Sequence, residues 1–357
     1  MGHKLVVACG GTGGHAFPGL AAAKELASRG HDVTVWMSGR DVESSVLKGW
    51  QGPVFATGAR QLSLKSAFSN LRAVLRCRKE ILRGKPAALL AMGSYSSLPP
   101  VLAASWCKVP VVLHEANTVP GRAVDVLSSL AKTVAISFEE TAGHFPGKNT
   151  VLTGLPVRAD IAGQRRFDDV PEDAFCVFVT GGSQGAHRVN EIASKALVLL
   201  DRDFAKIGRK LFVIHQTGAK DAEWVAKAYA EAGIAARVNA FEYEMGRAIS
   251  TADVVVARAG ASTCFELALT GTPAFLIPLP TAMRNHQHYN ALSFAAKLAA
   301  AEGSQSVLAP GALAKWLFHK AENPNSLREM SHNMKSMAVP DAAARVADVV
   351  ERIAEGK

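Results

Sequence analysis

The sequence predicts an α/β protein made of two doubly wound, Rossmann-like domains that face a cleft. Two observations carry this prediction. Short apolar runs alternate with longer helical patterns along all 357 residues, which is typical of parallel sheets covered by helices on both faces. In addition, each half contains an apolar run that leads directly into a glycine-rich turn and a helical pattern, at residues 10–15 and 181–186. Such a unit presents backbone N–H groups to a phosphate or another anion.

The strands follow from near-continuous Val/Leu/Ile/Ala runs. The first half predicts strands at residues 4–8, 32–36, 87–91, 109–113 and 133–136, and the second half at 175–180, 211–215, 237–240, 254–257 and 274–277. Glycine, proline and charge interrupt the pattern over residues 154–169, so we expect domains of residues 1–158 and 159–339. Helical spacing after Pro340 predicts a last helix within residues 340–357, which we expect to pack back on the first domain.

Composition narrows the class of protein. The five cysteines are scattered without metal-ligand or redox spacing, which favours a reducing compartment. The N-terminal apolar run is short and ends in glycines, as expected of a first strand rather than a signal peptide, and no apolar run reaches the length of a membrane span. The net charge of +9 favours anionic partners. No D-x-D carboxylate cluster stands in a plausible place, so we expect no metal site. We expect no cofactor either.

The sequence lacks the motifs of two common classes of nucleotide-binding enzyme, the dinucleotide-dependent enzymes and the P-loop nucleotide hydrolases. A dinucleotide enzyme needs an acidic residue after the second strand. The two candidate strands end instead in Trp36-Met37-Ser38 and His215-Gln216-Thr217. The loops read GGTGGH and GGSQGA rather than G-x-G-x-x-G, and no G-x-x-x-x-G-K-[ST] occurs. A glycosyltransferase that uses a nucleotide-sugar donor is the better interpretation.

Several motifs make this interpretation specific. In chain order they are GGTGGHAFPGLAAAKEL (10–26), HEANTVPGR (114–122), GLPVR (154–158), GGSQGA (181–186), ADVVVARAGASTCFE (252–266) and HQHYNA (286–291). With these motifs the sequence resembles the MurG family, the UDP-N-acetylglucosamine:N-acetylmuramyl-(pentapeptide) pyrophosphoryl-undecaprenol N-acetylglucosamine transferases. The resemblance implies a GT-B-type fold, an N-terminal acceptor domain, a C-terminal UDP-sugar domain, and inversion at the anomeric carbon without a catalytic metal. Local departures from the family pattern include Ser94, Ala116, Leu155 and the stretch Ala261–Glu266.

His15 is the candidate catalytic residue. It ends the first glycine loop, and an imidazole has a suitable basicity for accepting the proton of a sugar hydroxyl. A cap at the start of the helix is the alternative. The resemblance also implies acceptor-side roles for Gly93, Tyr95, His114 and Glu115.

The resemblance implies a larger donor-binding set. Its members are Thr12, Gly13, Gly14, Asn117, Arg158, Ser183, Gln184, Gly185, Glu242, Ala261, Ser262, Thr263, Glu266 and Gln287. Arg158 would stabilise the departing UDP, and Ser183 with its loop would bind phosphate oxygens. Glu266 would bond the ribose hydroxyls, although Thr263-x-x-Glu266 also reads as a capping box. Gln287 would bond the donor sugar.

A basic stripe marks one predicted helix. Arg72, Arg76, Lys79 and Arg83 fall on one helical face, beside the apolar residues Phe68, Leu71 and Leu75. A solvated surface helix is one explanation. Contact with anionic headgroups is the other, since the implied acceptor is lipid-linked.

These observations predict a peripheral enzyme at the cytoplasmic face of the membrane. It would transfer N-acetylglucosamine from UDP to a lipid-linked muramyl-peptide acceptor in peptidoglycan synthesis, in contact with anionic lipid and the cell-wall machinery. A related GT-B transferase or UDP-sugar epimerase, and a non-catalytic nucleotide-sugar-binding scaffold, remain alternatives. Nucleic-acid binding is not expected, because the stripe lacks interleaved aromatic residues.

Overall fold

The chain folds as two compact units, residues 1–158 with 339–357 and residues 159–338. The structure, a computed structural model, describes residues 2–11, 13–39, 47, 49–61, 63 and 66–356. Each unit is built around one parallel sheet.

The first unit has a seven-stranded sheet in the order β3-β2-β1-β4-β5-β6-β7. Its strands are β1 (Lys4–Ala8), β2 (Asp32–Met37), β3 (Val54–Ala56), β4 (Ala88–Ala91), β5 (Val111–Glu115), β6 (Thr133–Ile136) and β7 (Thr150–Leu152). The described pairings are all parallel; β1 lies between β2 and β4, with Val7 opposite Val35 on one side and Leu90 on the other.

Helices cover both faces of this sheet. They are α1 (Gly13–Ser28), α2 (Ala67–Gly84), α3 (Leu98–Trp106), α4 (Arg122–Leu127) and the C-terminal α12 (Ala342–Ala354). On one face α1 and α12 share a core with β1, in which Leu20, Leu26, Val346 and Val350 are buried. Arg29 after α1 adds ion pairs to Asp348 and Glu351 of α12 at 2.6 and 2.8 Å.

The second unit has a six-stranded sheet in the order β10-β9-β8-β11-β12-β13. Its strands are β8 (Ala174–Thr180), β9 (Lys210–Gln216), β10 (Ala235–Asn239), β11 (Val254–Ala257), β12 (Ala274–Leu276) and β13 (Ala300–Glu302). Its helices are α5 (His187–Lys206), α6 (Ala222–Ala232), α7 (Met245–Thr251), α8 (Ala261–Thr270), α9 (His286–Ala296), α10 (Pro310–Glu322) and α11 (Pro324–Ser336). The central strand β8 is buried along its whole length.

The predicted fold class, two doubly wound parallel-sheet domains, is confirmed. Three strands were missed: β3, β7 and β13. Each has three residues, and none is fully buried, so none produces the apolar run that identifies a buried parallel strand. Each lies at a sheet edge.

Candidate active site

Both glycine-rich loops lie where a doubly wound sheet binds ligands. In the first unit β1 neighbours β4, and in the second unit β8 neighbours β11. In each pair the chain leaves adjacent parallel strands toward opposite sides, which opens a crevice at their carboxyl ends. The loop after β1 leads into α1 and the loop after β8 leads into α5. Each unit therefore carries one predicted loop at its own switch point.

Serine side chains hold the first glycine loop. The Ser94 hydroxyl, which follows β4, donates to the carbonyl of Gly10 at 2.6 Å, and the Ser96 hydroxyl donates to the same oxygen. Gly11 has a φ of +119°. Gly13 and Gly14 begin α1, while Thr12 lies outside the described residues. The sequence interpretation missed both serines, because serine in a loop usually makes only local turn bonds.

His15 is held in one tautomer. Its Nδ1 lies 2.8 Å from the carbonyl oxygen of Met92, at the end of β4. A carbonyl only accepts, so Nδ1 carries the proton and the neutral ring has its lone pair on Nε2. His15 is half-buried in the first turn of α1. The arrangement gives Nε2, the accepting nitrogen of the neutral ring, a defined direction.

His114 lies beneath this site. It is completely buried, and its Nε2 donates to the carbonyl of Gly154 at 3.0 Å. Burial, with a smaller effect from the nearby His15, lowers the pKa of His114 to about 4, although the hydrogen bond to the Gly154 carbonyl opposes this shift. Its ring is therefore neutral at neutral pH. The side chain of His114 thus has no exposed surface and supports the loop at Gly154, while the acceptor-side role expected of it stays a prediction.

Glu115 is buried next to His114, and its acceptor-side role also stays a prediction. It is 2% exposed. Its Oε1 accepts from the backbone N–H and the side-chain amide of Asn117 at 2.9 and 3.0 Å, and its Oε2 accepts from the N–H of Gly121. Burial raises the pKa of this carboxyl, while these hydrogen bonds oppose the rise. Glu115 thus shapes the loop after β5 and orients the half-buried Asn117.

Three other predicted residues lie in the first unit. Gly93 has a φ of +80°, and a Cβ there would lie 2.7 Å from the carbonyl oxygen of His114, so only glycine fits. Tyr95 is half-buried and begins a short 3₁₀ helix. Arg158 ends the first unit with its guanidinium carbon 4.7 Å from the ring centroid of Phe17 in α1. The structure thus brings Arg158 to the helix that carries His15.

The second glycine loop forms a tight turn. The N–H of Gly185 donates to the carbonyl of Gly182 at 2.8 Å, and both glycines have positive φ. A Cβ on Gly185 would lie 2.0 Å from the carbonyl oxygen of Thr217, which explains the glycine. Ser183 and Gln184 are exposed at the tip of the turn, and α5 begins two residues after Gly185. The turn and helix start offer N–H groups to an anion.

The start of α8 adds a second group of N–H donors in this unit. Gly260 is the N-cap residue, followed by Ala261, Ser262 and Thr263 in the first turn. The first N–H groups of a helix have no acceptor within it. The capping-box alternative for Thr263 and Glu266 is therefore wrong, because the cap is a glycine and Thr263 lies inside the helix. Glu266 stands half-buried in the second turn.

Anchoring bonds fix the loops around α8. Gln287 in α9 accepts from the N–H of Leu279 at 3.0 Å through Oε1, and the buried Asn290 donates to the carbonyl of Ala259. The interpretation missed Arg258, which donates to the carbonyl of Ile277 and to Gln305. Burial lowers the pKa of Arg258 to about 10. It ties the end of β11 to the end of β12.

Glu242 binds its own turn through both carboxylate oxygens, and the donor contact expected of it stays a prediction. It is 6% exposed, and its two oxygens accept from the Asn239 amide and the Glu244 N–H at 3.0 and 2.8 Å. Both oxygens therefore hold the turn between β10 and α7. The flanking Phe241 and Tyr243 are exposed and pack ring to ring, with centroids 4.9 Å apart.

One face of α2 is exposed along its whole length. We call it the α2 outer face and define it by Phe68, Leu71, Arg72, Leu75, Arg76, Lys79 and Arg83. The helix packs on the unit through Asn70, Ala73, Cys77 and Ile81 instead. Phe68, Leu71 and Leu75 are 64%, 55% and 48% exposed, so they are not the residues that contact the sheet. Among the described residues, no helix is both long and apolar enough to cross a bilayer.

Comparison with known protein families shows to which family of enzymes the chain belongs. Residues 5–136 match the glycosyltransferase family 28 N-terminal domain, and residues 176–346 match the family's C-terminal domain. The chain belongs to glycosyltransferase family 28. This family assignment confirms that the protein is a glycosyltransferase.

Full-length relatives confirm the resemblance to the MurG family. A UDP-N-acetylglucosamine–N-acetylmuramyl-(pentapeptide) pyrophosphoryl-undecaprenol N-acetylglucosamine transferase of Geobacter metallireducens is 36% identical, covering 97% of each chain. One from Pseudomonas putida is 35% identical over 99% of each. The crystal structure of Acinetobacter baumannii MurG aligns at a TM-score of 0.79 and 32% identity, over 99% of this chain and 100% of that one. This family 28 member thus groups with N-acetylglucosamine transferases.

More distant structures share only the fold. A putative UDP-N-acetylglucosamine 2-epimerase from Listeria monocytogenes aligns at a TM-score of 0.77 but is 12% identical. At that identity the likeness extends to the architecture and carries no argument about the reaction.

Proposed function

We propose that this glycosyltransferase moves N-acetylglucosamine from UDP-N-acetylglucosamine to a lipid-linked muramyl-peptide acceptor. The observation that carries the mechanism is the 2.8 Å hydrogen bond between His15 Nδ1 and Met92 O. It leaves the basic nitrogen Nε2 as the group that receives a proton. Relatives that carry the named activity at 36% and 35% identity supply the substrate class.

In the proposed reaction the acceptor hydroxyl oxygen attacks the anomeric carbon of the sugar. Its proton passes to His15 Nε2 as the new C–O bond forms. The bond from the anomeric carbon to the diphosphate oxygen breaks, and UDP leaves with the electron pair. His15 then returns the proton to solvent, so atoms and charges balance.

The donor would be held by the second unit. The turn around Ser183 and the first turn of α8 supply N–H groups for the diphosphate. Glu266 would accept hydrogen bonds from the ribose hydroxyls. Arg158 would stabilise the charge that grows on the departing UDP.

Incubation with labelled UDP-N-acetylglucosamine and a lipid I analogue tests this proposal. We expect UDP release that requires the acceptor and a labelled lipid product. Conversion of the donor to an isomer without acceptor would identify an epimerase instead. Donor binding without any turnover would identify a scaffold.

We also propose that the α2 outer face binds the cytoplasmic leaflet. Four cationic side chains and three exposed apolar ones share it, and each cation contributes about 1 kcal/mol near an anionic surface. The guanidinium carbon of Arg72 lies 4.4 Å from the Phe68 ring centroid, so cation and apolar group form one surface. This contact would bring the first unit to a membrane-anchored acceptor.

Vesicle sedimentation tests the membrane proposal. The variant in which Arg72, Arg76, Lys79 and Arg83 become glutamine should lose salt-sensitive binding to anionic vesicles. A control with the same charge change replaces Arg188, Lys195, Arg202 and Lys206, which are exposed on α5; it should bind as the parent does. Equal losses in both variants would show that only net charge matters, and that α2 is an ordinary solvated helix.

A further inference from the structure

The carbonyl of Gly182 in the second glycine loop is fixed by a closed ring of hydrogen bonds. The Gly182 N–H donates to Thr180 Oγ1 at 3.1 Å, and that hydroxyl donates to Gln216 Oε1 at 3.2 Å. Gln216 Nε2 then donates back to the Gly182 carbonyl at 3.1 Å. Thr180 ends β8 and Gln216 ends β9, where the two residues are direct partners in the sheet. They are 3% and 1% exposed.

This ring controls the direction of a peptide plane. In a trans peptide the C=O of one residue and the N–H of the next point in opposite directions. Binding the Gly182 carbonyl to Gln216 and to the Gly185 N–H therefore directs the Ser183 N–H away from both. If the plane flipped, the loop would present a carbonyl oxygen instead of an N–H, and that oxygen would repel a phosphate.

Glycine makes such a flip easy at this position. Gly182 has a φ of +87°, and a Cβ on it would meet no atom within 4 Å, so sterics do not restrict it. The far side of the loop is different. There Gly185 lies against the Thr217 carbonyl, and Gly218 lies against the Gln184 carbonyl. Close packing holds that side, while side-chain hydrogen bonds hold the Gly182 side.

We propose that Thr180 and Gln216 are positioning residues that keep the Ser183 N–H directed toward the donor diphosphate. This inference rests on the proposed function, because it takes the second loop as the diphosphate site. The two residues need not touch the donor. Their effect is confined to ligands that carry phosphate, since the uridine part makes no use of the Ser183 N–H.

The test compares the affinities of UDP and uridine by calorimetry. Their ratio isolates the contribution of the diphosphate. Thr180→Val removes the hydroxyl with little change of shape, and Gln216→Met removes the amide. Thr180→Ser is the conservative variant, because it keeps the hydroxyl. We expect the UDP-to-uridine affinity ratio to fall about tenfold in Thr180→Val and in Gln216→Met, as for one lost hydrogen bond to a charged group. In Thr180→Ser the ratio should stay close to that of the parent.

Thr251→Val is the matched control. Thr251 is also buried in this unit, accepts from the Phe167 N–H, and donates to the Arg247 carbonyl. It should lower thermal stability as Thr180→Val does and leave the affinity ratio at the parental value. A parental ratio in both Thr180→Val and Gln216→Met would overturn the positioning role. If the parent itself bound UDP and uridine equally, the proposed donor site would fail, and the positioning role with it.

Discussion

Replacing His15 by alanine separates two roles that the structure gives this residue. One is orientation, through the 2.8 Å bond from Nδ1 to the Met92 carbonyl. A neutral hydrogen bond contributes roughly 0.5–1.5 kcal/mol net, so losing orientation alone would cost about tenfold at most. The other role is acceptance of the acceptor's proton, and loss of a general base costs about 10²–10⁴ in rate. The proposed mechanism therefore predicts a fall in kcat well beyond tenfold.

The assay measures kcat with saturating donor and acceptor, together with donor affinity by calorimetry. Donor affinity should barely change, because the groups proposed to hold the diphosphate and the ribose, the Ser183 turn, the first turn of α8 and Glu266, lie in the second unit. His15→Gln is informative, since its amide can bond the Met92 carbonyl but cannot accept a proton at neutral pH; it should be as slow as His15→Ala. His332→Ala, on an exposed face of α11, is the control and should retain parental kcat. Near-parental turnover in His15→Ala would refute the assignment and leave His15 as a structural group.

Three further predictions address donor binding, leaving-group charge and stability. Glu266→Ala should raise the donor KM more than it lowers kcat, and should narrow the discrimination between UDP and 2′-deoxy-UDP. Because Gly260 rather than Thr263 caps α8, the Glu266→Ala variant should melt close to the temperature of the parent. A large loss of stability, with unchanged discrimination between UDP and 2′-deoxy-UDP, would count against the ribose role. Arg158→Ala should mainly depress kcat, since charge on UDP grows toward the transition state, and an effect confined to KM would contradict this. Finally, burial lowers the pKa values of His114 and His215 to about 4 and about 3. Both lie below the unfolded value, so the unfolded chain binds more protons. The free energy of unfolding should therefore hold its full value above about pH 6.5, where both histidines are neutral in the folded and the unfolded chain. As the pH falls from there toward about 4, each histidine should lower that free energy by roughly 1.4 kcal/mol per pH unit. Urea titrations across this range measure the slope, and a flat profile would contradict the burial argument.

The fold could be predicted because buried parallel strands leave a strong signal. The runs around Val7 and Val177 are apolar on both faces, and each leads directly into a glycine turn. Edge strands such as Val54–Ala56 leave little signal, since partial exposure removes the apolar run. Strand boundaries also shifted by a residue or two: the strand predicted at 109–113 is Val111–Glu115.

Side-chain roles were harder to predict because sequence does not show which atoms already have partners. His114 and Glu115 belong to a recognisable motif, but the motif does not show that His114 Nε2 binds the Gly154 carbonyl or that Glu115 Oε2 binds the Gly121 N–H. The pattern of Thr263 and Glu266 indicates a capping box, but the chain enters α8 at Gly260. The positioning role proposed for Gln216 depends on strand register, which pairs it with Thr180. Local sequence contains no trace of that pairing.

The anomeric configuration of the product tests the central claim most directly. UDP-N-acetylglucosamine carries an α linkage, and the proposed mechanism has a single attack by the hydroxyl that His15 deprotonates, on the face opposite the departing UDP. NMR of the glycosylated lipid analogue should therefore show a β linkage, with one UDP released per product. An α-linked product would contradict direct displacement with His15 as base.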